Sequence, residues 1–133
     1  MAALDTNILV RFLVQDDAPQ LAAARHLIQR CLAAGEALFV PVTVALELEW
    51  VLRARFGFAK PAVLQTLSQL LGTVELVFES ERALEMALLL YRQGAAEFAD
   101  ALHLALGLAA GQQPLWTFDK SAARLPGARL LMA

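Results

Sequence analysis

Short β-prone runs alternate along this chain with longer segments in which apolar residues recur at helical spacing. The short runs predict strands at residues 2–4, 37–40, 74–78, 114–118 and 128–132. The longer segments predict helices at residues 6–15, 19–34, 43–56, 60–71, 80–93 and 97–110, and a short helix at 120–124. Strands that alternate with helices are typical of a parallel sheet covered on both faces, so an α/β fold is predicted.

Proline and glycine residues support these boundaries. Pro19 and Pro61 suit the first turns of two helices, because a missing backbone N–H is tolerated there. Gly35 and Gly111 stand where two helices end and are expected to act as C-terminal caps. Pro114 opens a strand, which is another position where the missing N–H is tolerated.

Length and composition restrict the class of protein. A chain of 133 residues without a linker or an internal repeat predicts a single domain over residues 1–133. Hydrophobic residues make up 59% of the chain, and this excess suggests apolar surface for a partner or a second copy. The apolar stretches are too short to span a membrane and no signal peptide is evident, so a cytoplasmic protein is expected. Cys31 is the only cysteine and is expected to be a small buried residue.

The charge pattern argues against a simple nucleic-acid binding module. The net charge is −2, with 11 basic and 13 acidic residues, so the basic footprint of a general nucleic-acid binder is missing. An enzyme is not excluded, because a few cations around a site can hold a phosphate locally. Trp50, Trp116 and the phenylalanines are scattered over several elements, and they are predicted as core or interface residues and not as a base-stacking platform.

Four carboxylates are set directly among strongly apolar residues. They are Asp5, Glu47, Asp100 and Asp119. Three of them have an ordinary alternative explanation: two stand where helices begin and suit N-caps, and Asp100 lies in a first helical turn, where the macrodipole favours an acid. Glu47 has none, because Val44 and Val51 place it on an apolar stripe. Its neighbour Glu49 precedes Arg53 by four residues and is predicted to be a solvated surface residue.

Taken together, the four acids predict a metal site. Asp5 and Asp119 follow predicted strands, and open parallel sheets bind ligands at the carboxyl ends of their strands, where the two helical acids are also expected. Two carboxylates ~5 Å apart repel by about 3 kcal/mol at an effective dielectric constant of about 20, so protonation or a cation must relieve the repulsion. Oxygen ligands without cysteine favour Mg²⁺ or Mn²⁺. Glu97 shares a helix face with Asp100, and His103 on the same face is expected to be a hydrogen-bonded wall residue.

Four segments in a characteristic order resemble the PIN-domain family and, within it, the VapC-type toxins of toxin–antitoxin pairs. The segments are LDTNILVRFL, VTVALELEWVLRARFG, FADALHLA and TFDKSAARLPGARLL, and the resemblance covers essentially the whole chain. It implies a three-layer α/β/α domain with a central parallel sheet of four to five strands. It also implies a metal-dependent endoribonuclease that binds Mg²⁺ or Mn²⁺ and hydrolyses RNA phosphodiester bonds with metal-activated water.

The resemblance assigns roles to residues by their position. The acidic set comprises Asp5, Glu47, Asp100 and Asp119, and the supporting residues are Thr6, Asn7 and Thr117. Glu97 stands where many relatives have aspartate, which leaves open whether it reaches the metal directly or through water. Arg11 and Lys120 are each near a site acid in sequence, and they are either phosphate contacts or solvated surface cations.

The resemblance further implies an RNA substrate, a small antitoxin protein that blocks the acidic pocket, and a homodimer. One alternative is a housekeeping PIN nuclease that acts in RNA processing. A second, from another class, is a Mg²⁺-binding phosphoacceptor or interaction module. A phosphoacceptor needs an acceptor aspartate at the end of a central strand, whereas the middle acid of this chain is a helical glutamate.

Overall fold

The computed structural model describes residues 1–133 as two compact units, an N-terminal unit Met1–Glu79 and a C-terminal unit Ser80–Ala133. The N-terminal unit contains β1 (Ala2–Ala3), α1 (Thr6–Val14), α2 (Ala18–Ala33), β2 (Leu38–Val40), α3 (Val42–Ala54), α4 (Lys60–Leu71) and β3 (Leu76–Phe78). The C-terminal unit contains α5 (Glu81–Gln93), α6 (Phe98–Ala109), β4 (Leu115–Thr117), a 3₁₀ turn (Ala122–Arg124) and β5 (Ala128–Leu130). The predicted elements are confirmed, although the segment predicted as a short helix at 120–124 is this 3₁₀ turn.

Three parallel strands form the sheet of the N-terminal unit, in the order β1-β2-β3. Leu38 and Val40 of the central strand are fully buried, as expected for a strand that carries apolar residues toward helices. Because the strands are parallel, their carboxyl ends lie at one edge of the sheet. The chain segments that lead into α1 and α3 therefore start at that edge.

The two strands of the C-terminal unit, β4 and β5, are also parallel, and Leu115 lies opposite Ala128. Both residues pack against a small core that includes Leu104 of α6 and Leu125. The helices of this unit are joined by a contact between the rings of Tyr91 and Phe98, whose centroids lie 5.7 Å apart at a tilt of 55°. One face of this sheet therefore packs against the interior of the unit.

The α/β class and the parallel pairing are confirmed, with the five strands paired as a set of three and a set of two. The predicted caps are confirmed as well: Gly35 and Gly111 have φ angles of +76° and +72°, a left-handed conformation that glycine adopts without strain. Pro19 and Pro61 lie in the first turns of α2 and α4. None of the helices has both the length and the apolar character that crossing a membrane requires.

Candidate functional site

Asp5 lies between β1 and α1, at the carboxyl edge of the three-stranded sheet. The preceding Leu4 is buried and its N–H donates to the carbonyl of Phe39 at 2.9 Å, which fixes the chain beside β2. Asp5 has the extended backbone of an N-cap, and its Oδ1 accepts a hydrogen bond from the N–H of Thr6 at 2.7 Å. An ordinary N-cap bonds an N–H two or three residues on. The observed contact instead holds the exposed carboxylate against the first residue of α1.

Thr6 connects Asp5 to a second acid. Its side chain is buried at 3% exposure, and its hydroxyl donates a hydrogen bond to Oε1 of Glu47 on α3, a residue 41 positions later in the chain. The N–H of Thr6 points to Asp5 and its O–H to Glu47, so one buried threonine holds both carboxylates. The structure therefore brings these two predicted site residues together at the carboxyl edge of the sheet.

The paired acids carry uncompensated negative charge. Neither Asp5 nor Glu47 forms an ion pair, and each uses only one carboxylate oxygen in its contact with Thr6. Exposed, unpaired carboxylate oxygens match the hard-ligand preference of Mg²⁺ and Mn²⁺. Within either unit alone, no three Asp, Glu, His or Cys side chains form a group that could hold a metal ion. Each unit contains two of the four predicted acids.

The orientation of α3 differs from the one predicted. Glu47 is exposed, whereas Glu49 is buried at 2% exposure and pairs with Arg53 at 2.8 Å. The prediction of a Glu49–Arg53 pair is correct, but its placement in solvent is wrong. The buried face of the helix includes Leu48 and Leu52. Glu49 is next to Leu48 in the sequence and about one helical turn before Leu52, so it lies on the same face. Arg53 neutralises the buried charge, which would otherwise be costly.

Asp119 of the C-terminal unit is held by its own turn. Its Oδ1 accepts hydrogen bonds from the N–H groups of Ser121 at 2.7 Å and Ala122 at 3.1 Å, which forms an Asx turn at the start of the 3₁₀ segment. The N–H of Asp119 donates to the hydroxyl of Thr117 at 3.0 Å. Asp119 therefore bonds the first N–H groups of this turn as a cap would, although the N-cap residue of the 3₁₀ segment is Ser121. Oδ2 of Asp119 takes no part in these contacts.

Asp100 and Glu97 lie at the start of α6. Glu97 is the N-cap residue, with an exposed side chain that makes no capping hydrogen bond. Asp100 lies in the first turn and is half-buried, a position in which the helix macrodipole favours a carboxylate. No shared hydrogen-bond partner joins Asp100 to Asp119 in the way that Thr6 joins the acids of the N-terminal unit. His103 is exposed, so its prediction as a wall residue is wrong.

Residues 2–128 match the PIN domain, a range that takes in most of both units. This chain belongs to the PIN-domain family. PIN domains are nucleases, and nucleases of this family generally use divalent metal ions. The resemblance seen in the sequence is thus confirmed at the level of the family. No curated protein matches the chain.

One solved structure that is similar to this PIN domain is a toxin–antitoxin complex from Klebsiella pneumoniae. Sequence identity is 20% and the TM-score is 0.34, and the alignment covers 96% of this chain and 95% of that chain. Membership of the family rests on the match over residues 2–128.

The two predicted phosphate contacts of this PIN domain differ in their surroundings. Arg11 is largely buried and forms an ion pair with Asp16, so a phosphate would have to compete with that carboxylate. Lys120 is exposed. Asn7, in the first turn of α1, is exposed as well and remains a predicted supporting residue.

Glu79 is an acid of the N-terminal unit that the sequence analysis missed. It follows β3, and its Oε1 accepts a hydrogen bond from the N–H of Val42 at 2.8 Å, at the start of α3. Its own N–H donates to the carbonyl of Val40 at 2.9 Å. Pro41, the N-cap residue of α3, makes no side-chain cap, so Glu79 provides one from the neighbouring strand. The available signal was its position directly after a β-prone run, which Asp5 also occupies.

Proposed function

We propose that this PIN domain is a metal-dependent endoribonuclease and the toxin of a VapC-type toxin–antitoxin pair. The observation that carries the proposal is the pairing of Asp5 and Glu47 through buried Thr6, with no cation beside either acid. An arrangement that fixes two unneutralised carboxylates at the carboxyl edge of a parallel sheet suits a divalent cation. Membership of a nuclease family favours this reading over a phosphoacceptor or an inactive interaction module.

The proposed ligands of Mg²⁺ or Mn²⁺ are Asp5, Glu47, Asp100 and Asp119, with Glu97 as a further candidate. When bound, the ion supplies Lewis acidity toward a phosphodiester oxygen and lowers the pKa of water. Thr6 holds Asp5 and Glu47 in a fixed relation through its N–H and its hydroxyl. Thr117 supports Asp119 by accepting a hydrogen bond from its backbone N–H.

Contacts to the RNA backbone are proposed for Lys120 and Arg11. Lys120 directly follows Asp119 and is exposed, so its ammonium group is available to a phosphate. Arg11 lies in α1, which begins beside Asp5, but it is engaged by Asp16. Of the two, Lys120 is therefore expected to contribute more to RNA binding.

A small antitoxin protein and a second copy of the chain are the proposed partners, and the cytoplasm is the proposed place of action. The high hydrophobic content of the chain supports a partner-covered surface. Met86 and Leu89 add to this support, because they are exposed and lie three residues apart on one face of α5.

Replacing single acids by their amides tests the proposed chemistry. Asp5→Asn preserves an oxygen that can accept from Thr6, and Asp100→Asn changes a half-exposed residue, so both variants are expected to fold. Cleavage of RNA in Mg²⁺ or Mn²⁺ should fall by about a hundredfold or more, since metal catalysis contributes several kcal/mol. Glu75→Gln, an exposed acid outside the proposed set, is the matched control and should cleave normally. Undiminished cleavage by both aspartate variants would rule out the proposal.

Cellular experiments separate a toxin from a housekeeping PIN nuclease. Induction of the protein alone should arrest growth and produce defined RNA cuts, and co-expression of the product of a short adjacent gene should abolish both. A housekeeping nuclease would leave growth unaffected and would need no such partner. Mapping the RNA ends under the two conditions distinguishes these outcomes.

A further inference from the structure

Two exposed aromatic residues lie on β4 and directly after it. Trp116 is 55% exposed and Phe118 is 69% exposed. Side chains alternate between the two sides of a strand, so Trp116 lies on one side of β4 and residues 115 and 117 on the other. Phe118 is the first residue after β4. Leu115 packs into the core of the unit, which fixes the aromatic side as the outward one.

A basic residue lies beside Trp116 on this side. Arg129 of β5 is the register partner of Trp116 and is exposed. Leu131, two residues after Arg129, is 45% exposed. Trp116, Phe118, Arg129 and Leu131 are together called the aromatic face.

Burial in the core does not explain these aromatic residues. Trp116 was predicted as a core or interface residue, and its exposure excludes the core alternative. Large apolar side chains grouped at the surface are unusual unless something covers them. Trp116 lies on β4 and Phe118 follows that strand directly. The aromatic residues were dismissed as a stacking platform because they are scattered over several elements, and that reason does not apply to this pair.

Local charge decides which kind of partner fits. Residues 112–133 contain the bases Lys120, Arg124 and Arg129 but only one acid, Asp119, whereas the whole chain has 11 basic and 13 acidic residues. All three bases are exposed. A basic segment that carries exposed aromatic rings suits a polyanion whose flat groups can stack, which describes unpaired nucleic acid.

We propose that the aromatic face binds single-stranded RNA by stacking unpaired bases on Trp116 and Phe118, with Arg129 contacting a phosphate. The inference rests on the proposed nuclease function and deepens it, because it names the surface that holds the RNA substrate. Phe118 directly precedes Asp119, so a base on its ring lies one residue along the chain from a proposed metal ligand.

Tryptophan fluorescence tests the stacking directly, because the chain has two tryptophans. Trp50→Phe leaves Trp116 as the only reporter, and Trp116→Phe leaves Trp50, which is equally exposed at 52% but lies on α3. Single-stranded oligouridylate, added in EDTA, should quench Trp116 and leave Trp50 unchanged. An RNA duplex should leave both unchanged, since its bases are already stacked and paired. If the oligonucleotide does not quench Trp116, the inference is wrong.

Affinity provides a second measurement. The double variant Trp116→Ala/Phe118→Ala should bind fluorescein-labelled oligouridylate about tenfold or more weakly, because each base–aromatic stack contributes substantially to affinity. Arg129→Gln should weaken binding less and reduce its dependence on salt. Two results together would show that the face is a protein interface and would contradict the inference. RNA would leave Trp116 of the Trp50→Phe variant unquenched, and the double alanine variant would differ from the wild type in its molecular mass in solution.

RNA binding is measured without metal and RNA cleavage with metal, so the stacking surface and the nuclease proposal can fail independently. A wild-type protein that binds oligouridylate through Trp116 but cleaves no RNA in Mg²⁺ or Mn²⁺ contradicts the nuclease proposal and leaves the stacking surface intact. A protein that cleaves RNA without any response of Trp116 contradicts the stacking surface alone. The Trp50→Phe measurement remains decisive even if the double alanine variant does not fold.

Discussion

The two units hold their acids in different ways. In the N-terminal unit, Asp5 and Glu47 are joined through Thr6, a contact between two helices that are distant in sequence. In the C-terminal unit, Asp119 is held by N–H groups within the next three residues. The first arrangement depends on how α1 packs against α3, whereas the second depends on a single turn. Changes that disturb packing should therefore affect the acids of the N-terminal unit more.

The largest effect on stability in this comparison is expected from Arg53→Ala. The substitution removes the ion pair of buried Glu49 with Arg53 and should lower the free energy of unfolding by about 2 kcal/mol, less than for a fully buried pair because Arg53 is partly exposed. Chemical denaturation measures the change.

Arg55→Ala is the matched control, because Arg55 is exposed and follows Arg53 by two residues. It should change the free energy of unfolding by less than about 0.5 kcal/mol. Equal effects of the two variants would mean that the Glu49–Arg53 pair does not stabilise α3.

Thr6→Val is expected to have the next largest effect, on activity. The substitution keeps the shape of the buried side chain but removes the hydroxyl that holds Glu47, so RNA cleavage should fall by about tenfold, equivalent to about 1.4 kcal/mol. Thr6→Ser retains the hydroxyl and should retain most of the activity. Initial cleavage rates and calorimetric Mn²⁺ affinity measure the change. Normal rates and Mn²⁺ binding in Thr6→Val would show that the threonine bridge is dispensable.

Much of the fold could be predicted because the signals are local. Proline and glycine mark the ends of helices, and the β-prone runs are short and separated by helical segments, so the elements lie close to their predicted bounds. The positions of Asp5 and Asp119 after strands could be read in the same way. These features depend on neighbouring residues and not on how the elements pack.

The features that the sequence did not predict depend on how the elements pack. The helix α3 is apolar around much of its circumference, so its sequence does not determine which of Glu47 and Glu49 faces the interior. The exposure of Trp116 follows from which side of β4 packs on Leu104, and hydrophobicity alone favours burial. The contact from Thr6 to Glu47 likewise requires two helices to meet.

Thr117→Val is expected to have the smallest effect, and it tests the local arrangement directly. The substitution removes the acceptor for the N–H of Asp119, but Oδ1 of Asp119 keeps its hydrogen bonds from Ser121 and Ala122. RNA cleavage should therefore fall only about twofold, less than 0.5 kcal/mol, with Thr117→Ser as the control that retains the hydroxyl. Parallel cleavage assays with Thr6→Val provide the comparison. A loss as large as that of Thr6→Val would show that the turn does not hold Asp119 by itself, and the contrast between the two units would disappear.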